Sequence, residues 1–543
     1  MTGEISTADG IVAALYDHGI RTVFGLPGVQ LDEFTDAVAR HGRIRFLHTR
    51  HEQGAAYMAL GAALASGEPA AYAVVPGPGI LNSTGALCTA YACNAPVLAF
   101  TGQIPQALIG RGLGILHELP DQLAVLQLLT KWAGRVRAPF EAYAKVGEAF
   151  AQMTSGRRGP VALECAIDVL PQRGQIPIQP AVPPLAIPID DEAVERAAKL
   201  LGAAKRPMIV VGGGALEAGA EVFAIAEMLQ APVISHRMGR GVLSERNPLS
   251  ASIDVGYELW EDVDVVLGVG TRLQIQLNDW RTDAGIKIVR IDIDPEEIGR
   301  FAAPAVGILG DAAGALTRLA DRLGAYNSSR PSRTEEMNGR RSRSLHKLRA
   351  AMQPQFEYLD AIRAELPDDG IFVDDVTQLG HVARLHFPTY LPRTYLSPAY
   401  QGTLGWGPAT ALGAKAAFPG RAVVSISGDG GFLFTVQELA TAVQHDIRVV
   451  FIVVNDNAYG NVRRTQTDKY NDRFIATDLV NPDFVKLAES FGMEGRRAHS
   501  PAELRRHLRE GFRAQGPVLI EVPVGVLPDP LPFLRPPPVV RRV

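Results

Sequence analysis

The chain has 543 residues, with 54 Lys and Arg against 58 Asp and Glu, so its net charge of −4 gives no basic excess for a nucleic-acid partner. No run of about 18 apolar residues occurs, and Glu4, Asp9 and Asp17 interrupt the N-terminal stretch, so neither a membrane span nor a secretory signal is expected. Cys88, Cys93 and Cys165 have neither metal-ligand spacing nor the density of a secreted scaffold, which predicts reduced core thiols in a cytoplasmic protein.

A chain of this length can bury several cores. In residues 1–170, helical patterns alternate with short apolar runs at 22–25, 71–75, 97–101 and 161–164, which predicts an α/β layer with a mostly parallel sheet. The stretch Leu47-His48-Thr49-Arg50-His51-Glu52-Gln53-Gly54-Ala55-Ala56 leads into an Ala- and Gly-rich helix that packs too closely to be surface. A carboxylate at such a buried helix start reads in two ways: as a functional group in an unfavourable setting, or as a partner of the helix N-terminus. Six prolines between Pro171 and Pro188 break helices and ladders and mark a linker.

A second α/β unit is expected over 190–323, with strands at 208–211, 263–269 and 287–293. Gly212-Gly213-Gly214 lacks the spacing of a dinucleotide turn, and close packing of strand against helix explains it better. From Tyr326 to about Gln355 the chain is polar and rich in arginine, as expected of a solvated connector. A third unit spans 356–525. The Pro-rich tail 526–543 is expected to form neither helix nor inner strand and to lie over a neighbour or an active-site mouth.

The third unit carries the strongest signal. Val423, Val424, Ser425 and Ile426 form a β-rich run that stops at Gly428-Asp429-Gly430-Gly431, where a backbone free of Cβ atoms can close around a ligand. Leu433, Val436, Leu439, Ala440 and Val443 then recur at helical spacing, so the loop is predicted to open a helix whose first amides hold a phosphate. A second apolar run, 449–454, ends in Asn455-Asp456-Asn457. Both polar clusters sit at carboxyl ends of strands, where open parallel sheets bind ligands. One strand, helix, strand crossover fits between Asp429 and Asp456, so the two carboxylates can meet and share a Mg²⁺ with phosphate oxygens. Taken singly, Asp429 also reads as a turn residue and Asp456 as a helix cap.

This segment resembles the diphosphate and metal motif of thiamine-diphosphate enzymes. Gly428, Asp429 and Gly430 match its first part, and Asn455 matches the first of two asparagines; Asp456 stands where the second is expected, still offering oxygen but adding a charge. The resemblance implies Asp429, Asp456 and the backbone carbonyl of Ala458 as the metal ligands. RHEQGAA, around Glu52, resembles the glutamate motif of the acetolactate synthase-like branch. There Glu52 would bond the cofactor's aminopyrimidine and shuttle the proton that leads to activation of its thiazolium carbon. Gln401-Gly402-Thr403-Leu404-Gly405 matches the segment that bends the cofactor, with Gly402 accepting from the pyrimidine amino group and Leu404 wedged between the rings; a structural turn is the alternative. Thr377, Gln378, Gly431, Asn457, Tyr459, Gly460 and Asn461 are the remaining candidates around the diphosphate.

On the substrate side, Thr101-Gly102-Gln103-Ile104-Pro105 resembles the same branch and makes Gln103 a candidate catalytic residue. Where that branch often has Phe-Gln-Glu, this chain has Leu116-His117-Glu118; His117 is either a proton donor or acceptor near neutral pH or a satisfied structural histidine.

The resemblance covers almost the whole chain. It implies an α/β fold of three doubly wound, mostly parallel-sheet domains (pyrimidine-binding, central and diphosphate-binding), with thiamine diphosphate and Mg²⁺ as cofactors. It also implies a homodimer or homotetramer with active sites between subunits. FAD stays an open alternative: Gly270-Thr271-Arg272 vaguely resembles its pocket in some relatives, without a specific flavin signature. The expected activity is decarboxylation of a 2-oxo acid such as pyruvate followed by carboligation to a second carbonyl, making the protein a transferase or lyase. The alternatives are a carbon–carbon lyase or hydrolase of a dione or 2-hydroxyacyl substrate, or a non-catalytic cofactor-binding subunit.

Overall fold

The computed structural model describes residues 4–180 and 183–540; the extreme ends of the first unit and of the tail, and two positions of the proline-rich linker, lie outside the described residues. Three six-stranded sheets form, and every strand pair within them is parallel. An antiparallel pair, Ile5–Ser6 with Arg173–Gly174, closes the first unit's ends on each other.

The first sheet runs in space Arg45–His48, Thr22–Gly25, Ala70–Val74, Val97–Gln103, Val161–Ala166, Trp132–Val136. The third runs Tyr395–Leu396, Ile371–Asp374, Val423–Gly428, Val450–Asn455, Val518–Pro523, Glu494–Arg497. Numbered within each unit, both follow the order 2-1-3-4-6-5, whereas the central sheet follows 3-2-1-4-5-6. In such orders the direction of winding reverses beside the first strand, and the crevice at the carboxyl ends there is where open α/β sheets take ligands.

The central strands are continuous apolar runs because both faces are covered by helices; Val450–Asn455, for instance, is buried along its whole length. Strands at Arg45–His48, Trp132–Val136, Val233–Ser235, Ser250–Ala251 and Val306–Leu309 join those read from the sequence. Several are short or interrupted by polar residues, so their apolar signal is weak.

First and third units meet through equivalent helices, Glu52–Ser66 and Trp406–Ala417, each following the second strand of its unit. The crossing is set by glycine. A Cβ on Gly61 would lie 2.0 Å from the Thr410 carbonyl oxygen, and one on Gly413 would lie 1.8 Å from that of Met58. Backbone therefore packs on backbone, and almost every residue of the first helix is buried.

Three expectations change. The helix after the glycine loop is a single turn, Asp429–Phe432, and helix resumes only at Glu438–Gln444. The break lies where Gly405 presses in: its absent Cβ would sit 2.4 Å from Phe434 Cβ, and Thr435 Oγ1 donates to the Gly405 carbonyl at 2.8 Å. The arginine-rich stretch is not a solvated connector but contains the helix Thr334–Ala351, with Met337 and Leu348 buried. Its charges dock it: Glu336 pairs with Arg206 and Arg333, and Arg341 donates to the carbonyls of Glu245 and Asn247. The tail forms one helical turn, Leu531–Leu534, and lies on its own chain. Gln355 donates to the Pro528 carbonyl at 2.8 Å, Tyr257 to that of Pro537 at 2.9 Å, and the Val539 N–H to that of Trp280 at 3.1 Å.

Candidate active site

A cavity of about 200 Å³ opens at the carboxyl ends of the first, third and fourth strands of the third unit. Among the residues singled out above, Thr377, Gln378, Gly402, Leu404, Gly428, Asp429, Gly430, Gly431, Asp456, Ala458, Tyr459, Gly460 and Asn461 line it. Val376, Val454 and Val462 complete the wall. Three helices begin at the cavity: Gln378–Leu385, Asp429–Phe432 and Gly460–Tyr470. Each start leaves backbone N–H groups without intrahelical partners and carries the positive end of a helix dipole, so their convergence suits a multiply charged anion. The sequence pointed to one such helix.

The glycines are needed for close approach. A Cβ on Gly430 would meet Tyr459 Cε1 at 2.5 Å, and one on Gly460 would meet Asp456 Oδ2 at 2.6 Å. Asp429 is 1% exposed, and burial raises its pKa. Asp456 is raised to about 6, first by burial and then by the charge of Asp429 beside it. What the chain offers these carboxylates is neutral: Asn481 Nδ2 donates to Asp429 at 2.6 Å, and the Ala458 N–H donates to Asp456 at 3.2 Å. Among the described residues no group of three or more His, Cys, Asp or Glu could hold a metal. A buried and a half-buried carboxylate side by side next to an anion cradle do fit a hard divalent cation that draws its other ligands from a carbonyl and from phosphate.

Asn481 is the main residue that sequence reasoning missed. Besides Asp429, its amide reaches Asn455 Oδ1 at 3.0 Å and Asn457 Oδ1 at 3.3 Å, so it gathers both polar clusters. The chain around it is clipped on by backbone bonds, Tyr459 N–H to Thr477 O and Leu479 N–H to Asn457 O, both 2.8 Å. Nothing in Val480-Asn481-Pro482 beyond a turn signal announces this. Asn457 itself does not line the cavity; its N–H donates to Asn455 Oδ1 at 3.2 Å.

The first unit holds the other candidates. Glu52 is the first residue of Glu52–Ser66 and is 9% exposed, and its Oε2 accepts from Asn82 Nδ2 at 3.1 Å. Glu438 of the third unit accepts from the Arg50 N–H at 3.1 Å, so the two units jointly fix this helix start. Gln103 is committed to protein: Nε2 donates to Glu164 at 3.4 Å and Oε1 accepts from the Ile104 N–H at 2.7 Å. Glu164 is fully buried, pairs with Arg135, and accepts from Gln122 at 2.8 Å; Gln122 in turn accepts from the Gly77 N–H at 2.9 Å.

His117 stands in the left-handed region at φ 68°, with its Nδ1 buried and without a hydrogen-bond partner. A Cβ on Gly77 would lie 2.5 Å from its carbonyl oxygen, so the Gly77 turn is moulded to this loop. Glu52, Gln103 and His117 are absent from the lining of the cavity in the third unit. Thr403 contacts Thr89 at 2.9 Å, and Gln401 donates to Cys88 at 2.8 Å, which ties the Gly402–Leu404 segment to the helix Thr84–Ala92.

A second cavity, of about 240 Å³, lies where the three units meet. There the glycine turn packs against a neighbouring loop rather than a helix: a Cβ on Gly212 would lie 2.3 Å from the Gly270 carbonyl oxygen. Arg272, one of the residues that suggested a flavin, is engaged by protein, 3.5 Å from Glu297 and with its guanidinium 4.7 Å from the Tyr400 ring centre.

Comparison with known proteins agrees with this layout. Residues 5–125, 194–319 and 375–522 match the family models for the N-terminal TPP binding, central and C-terminal TPP binding domains of thiamine pyrophosphate enzymes. A probable 2-ketoarginine decarboxylase of Pseudomonas aeruginosa is 35% identical over 95% of this chain and 94% of its own. A probable acetolactate synthase large subunit of Methanocaldococcus jannaschii is 34% identical over 97% and 93%, and the isozyme 1 large subunit of Escherichia coli acetolactate synthase is 30% identical over 97% and 96%. With three family domains in order and relatives matched over nearly the whole chain, the protein belongs to the thiamine pyrophosphate enzymes, in the branch of the acetolactate synthases.

Proposed function

We propose that this protein decarboxylates a 2-oxo acid, using thiamine diphosphate (thiamine pyrophosphate) and Mg²⁺, and joins the remaining fragment to a second carbonyl compound. The observation that carries the reading is one cavity where three helix starts face two neighbouring carboxylates, the buried Asp429 and the half-buried Asp456. An anion and a divalent cation complete that arrangement together, and neither alone would.

Thiamine diphosphate, when bound, supplies a carbon nucleophile and an electron sink for loss of CO₂. Asp429, Asp456 and the Ala458 carbonyl hold the metal, and the amides at the three helix starts hold the diphosphate. Gly402 would accept from the pyrimidine amino group, and Leu404 would pack against the bound cofactor. Glu52, held by Asn82, moves a proton at the pyrimidine nitrogen. Because Glu52, Gln103 and His117 do not line the cavity of their own chain, a second copy brings them to it; the working unit is at least a homodimer. A cytoplasmic setting belongs to the same proposal, supported by three free thiols and by the lack, among the described residues, of a helix long and apolar enough to cross a membrane.

A second reading, decarboxylation that ends in protonation, is favoured by His117, whose unpartnered Nδ1 is a proton site at the place where the branch often has glutamine. The decarboxylase relative supports it as well. A panel of 2-oxo acids, pyruvate and 2-ketoarginine among them, incubated with thiamine diphosphate and Mg²⁺ tests both by mass spectrometry of products. A ligated hydroxy-keto product supports the first reading and an aldehyde alone the second; no CO₂ from any 2-oxo acid would sink both.

A further inference from the structure

We propose that Asp375 is a positioning residue that fastens the three loops of the diphosphate cavity into one unit, a role that rests on reading this cavity as the cofactor site. Asp375 follows the strand Ile371–Asp374 and is 1% exposed. The three contacts to its carboxylate come from its own loop, from the end of the strand Val423–Gly428 and from the first turn of the helix Trp406–Ala417. Oδ1 accepts from the Val376 N–H at 2.7 Å, at the entry to Thr377 and Gln378. Oδ2 accepts from Ser427 Oγ at 3.2 Å, the residue before Gly428-Asp429, and from the Gly407 N–H at 3.3 Å, just after Gly402–Gly405. These three segments supply Val376, Thr377, Gln378, Gly402, Leu404 and the Gly428–Gly431 turn to the cavity wall.

Three further observations separate this role from a core residue that merely caps a helix. The fit is tight: a Cβ on Gly407 would stand 2.9 Å from Asp375 Oδ2 and 3.1 Å from Ser427 Oγ, so the helix Trp406–Ala417 is drawn onto the carboxylate. A parallel tie exists next door, where Trp406 Nε1 donates to the Asp374 carbonyl at 2.8 Å. Finally, Arg384 is taken by Asp374 at 2.7 Å, and the hydrogen bonds to the Asp375 carboxylate come from neutral donors. Burial and the neighbouring Asp374 charge raise its pKa to about 7, a cost of keeping a carboxylate there that a purely space-filling residue would not incur. A carboxylate, with two oxygens and several lone pairs, is the smallest side chain that can accept from three loops at once.

The test compares wild type, Asp375→Ala and Asp375→Asn, each as the full chain. Thiamine diphosphate affinity with Mg²⁺ is measured by calorimetry, apo melting temperature by calorimetric scanning, and apo amide exchange over residues 402–407 and 427–431 by mass spectrometry. Asp375→Ala should weaken cofactor binding at least tenfold, at a temperature where it is fully folded, and should speed exchange in both remote loops. Asp375→Asn should lose less, because its amide oxygen still accepts; it also carries the test if the alanine variant does not fold. Unchanged affinity and unchanged exchange in a folded variant overturn the proposal, whatever its melting temperature. Should the wild type itself fail to bind thiamine diphosphate, the cofactor reading fails, while the exchange measurement still decides whether Asp375 couples the loops.

Discussion

The first and third units share one strand order and still finish their ligand-bearing edges in opposite ways. In the first, the buried Glu164 pairs with Arg135, and its remaining contacts are the amides of Gln103 and Gln122. The Glu164 charge is matched as the chain folds. In the third, Asp429 and Asp456 stand together with neutral donors only; burial raises both pKa values, and the Asp429 charge raises that of Asp456 further. The same architecture thus builds one half whose buried acid is paired with a cation and another whose neighbouring acids meet neutral donors. A buried unpaired charge destabilises a protein unless something binds it, and the binding of a metal and an anion then contributes to folding stability as well.

Removing a member of the unpaired set should give the largest effect. Asp429→Ala deletes a metal ligand and should abolish measurable thiamine diphosphate binding, a loss on the order of a hundredfold or more at about 1.4 kcal/mol per tenfold. Calorimetry in Mg²⁺ and in excess chelator checks it. Full binding in chelator, by wild type or variant, would show that the carboxylates hold no metal.

Next comes Glu52, where orientation and proton transfer are asked of one group. Glu52→Gln keeps the side chain's size and an oxygen for Asn82, so cofactor affinity should hold while turnover falls by roughly a hundredfold or more, the usual scale for a positioned proton-transfer group. Exchange of the thiazolium proton, followed by NMR, should slow with it. Wild-type rates in both measurements would make Glu52 a helix-start residue and nothing else.

In the first unit the sign of the comparison can be reversed. Arg135→Met removes the cation that completes Glu164 and leaves a carboxylate buried within Val161–Ala166. The expected cost is about 3–5 kcal/mol of stability, typical of a buried pair broken on one side. Denaturant unfolding of the apo protein measures it. A cost near zero would mean that the first unit tolerates unpaired charge as the third does, and the contrast between them would fail.

The sequence made the third unit more legible than the first, for a physical reason. A phosphate and metal site needs glycine where backbone approaches backbone or ligand, and carboxylates at strand ends, so Gly428-Asp429-Gly430-Gly431 and Asp456 stood out in a short stretch. The parallel sheets were readable from buried runs such as Val450–Asn455. Contacts between distant segments left little trace. Asn481 reaches Asp429 from a loop 52 positions on, and Glu164 looks like a stray acid in an apolar strand until Arg135 lies opposite it. The break after Phe432 was hidden too, because the apolar spacing runs on through it while Gly405 intrudes from another loop.

The smallest expected effect concerns His117, which belongs to neither pattern. Its ring nitrogen is buried without a partner, although a structural histidine would have a hydrogen bond there, and its backbone is held in the left-handed region against the Gly77 turn. If the imidazole delivers a proton after decarboxylation, His117→Phe should shift the product ratio several-fold from aldehyde toward ligated product and leave cofactor affinity alone. A histidine that serves structure would instead lower the melting temperature through altered packing against the Gly77 turn, with the ratio unchanged. Product ratio and melting temperature read on one variant therefore assign the residue, and an unchanged ratio with a lower melting point would remove His117 from the chemistry.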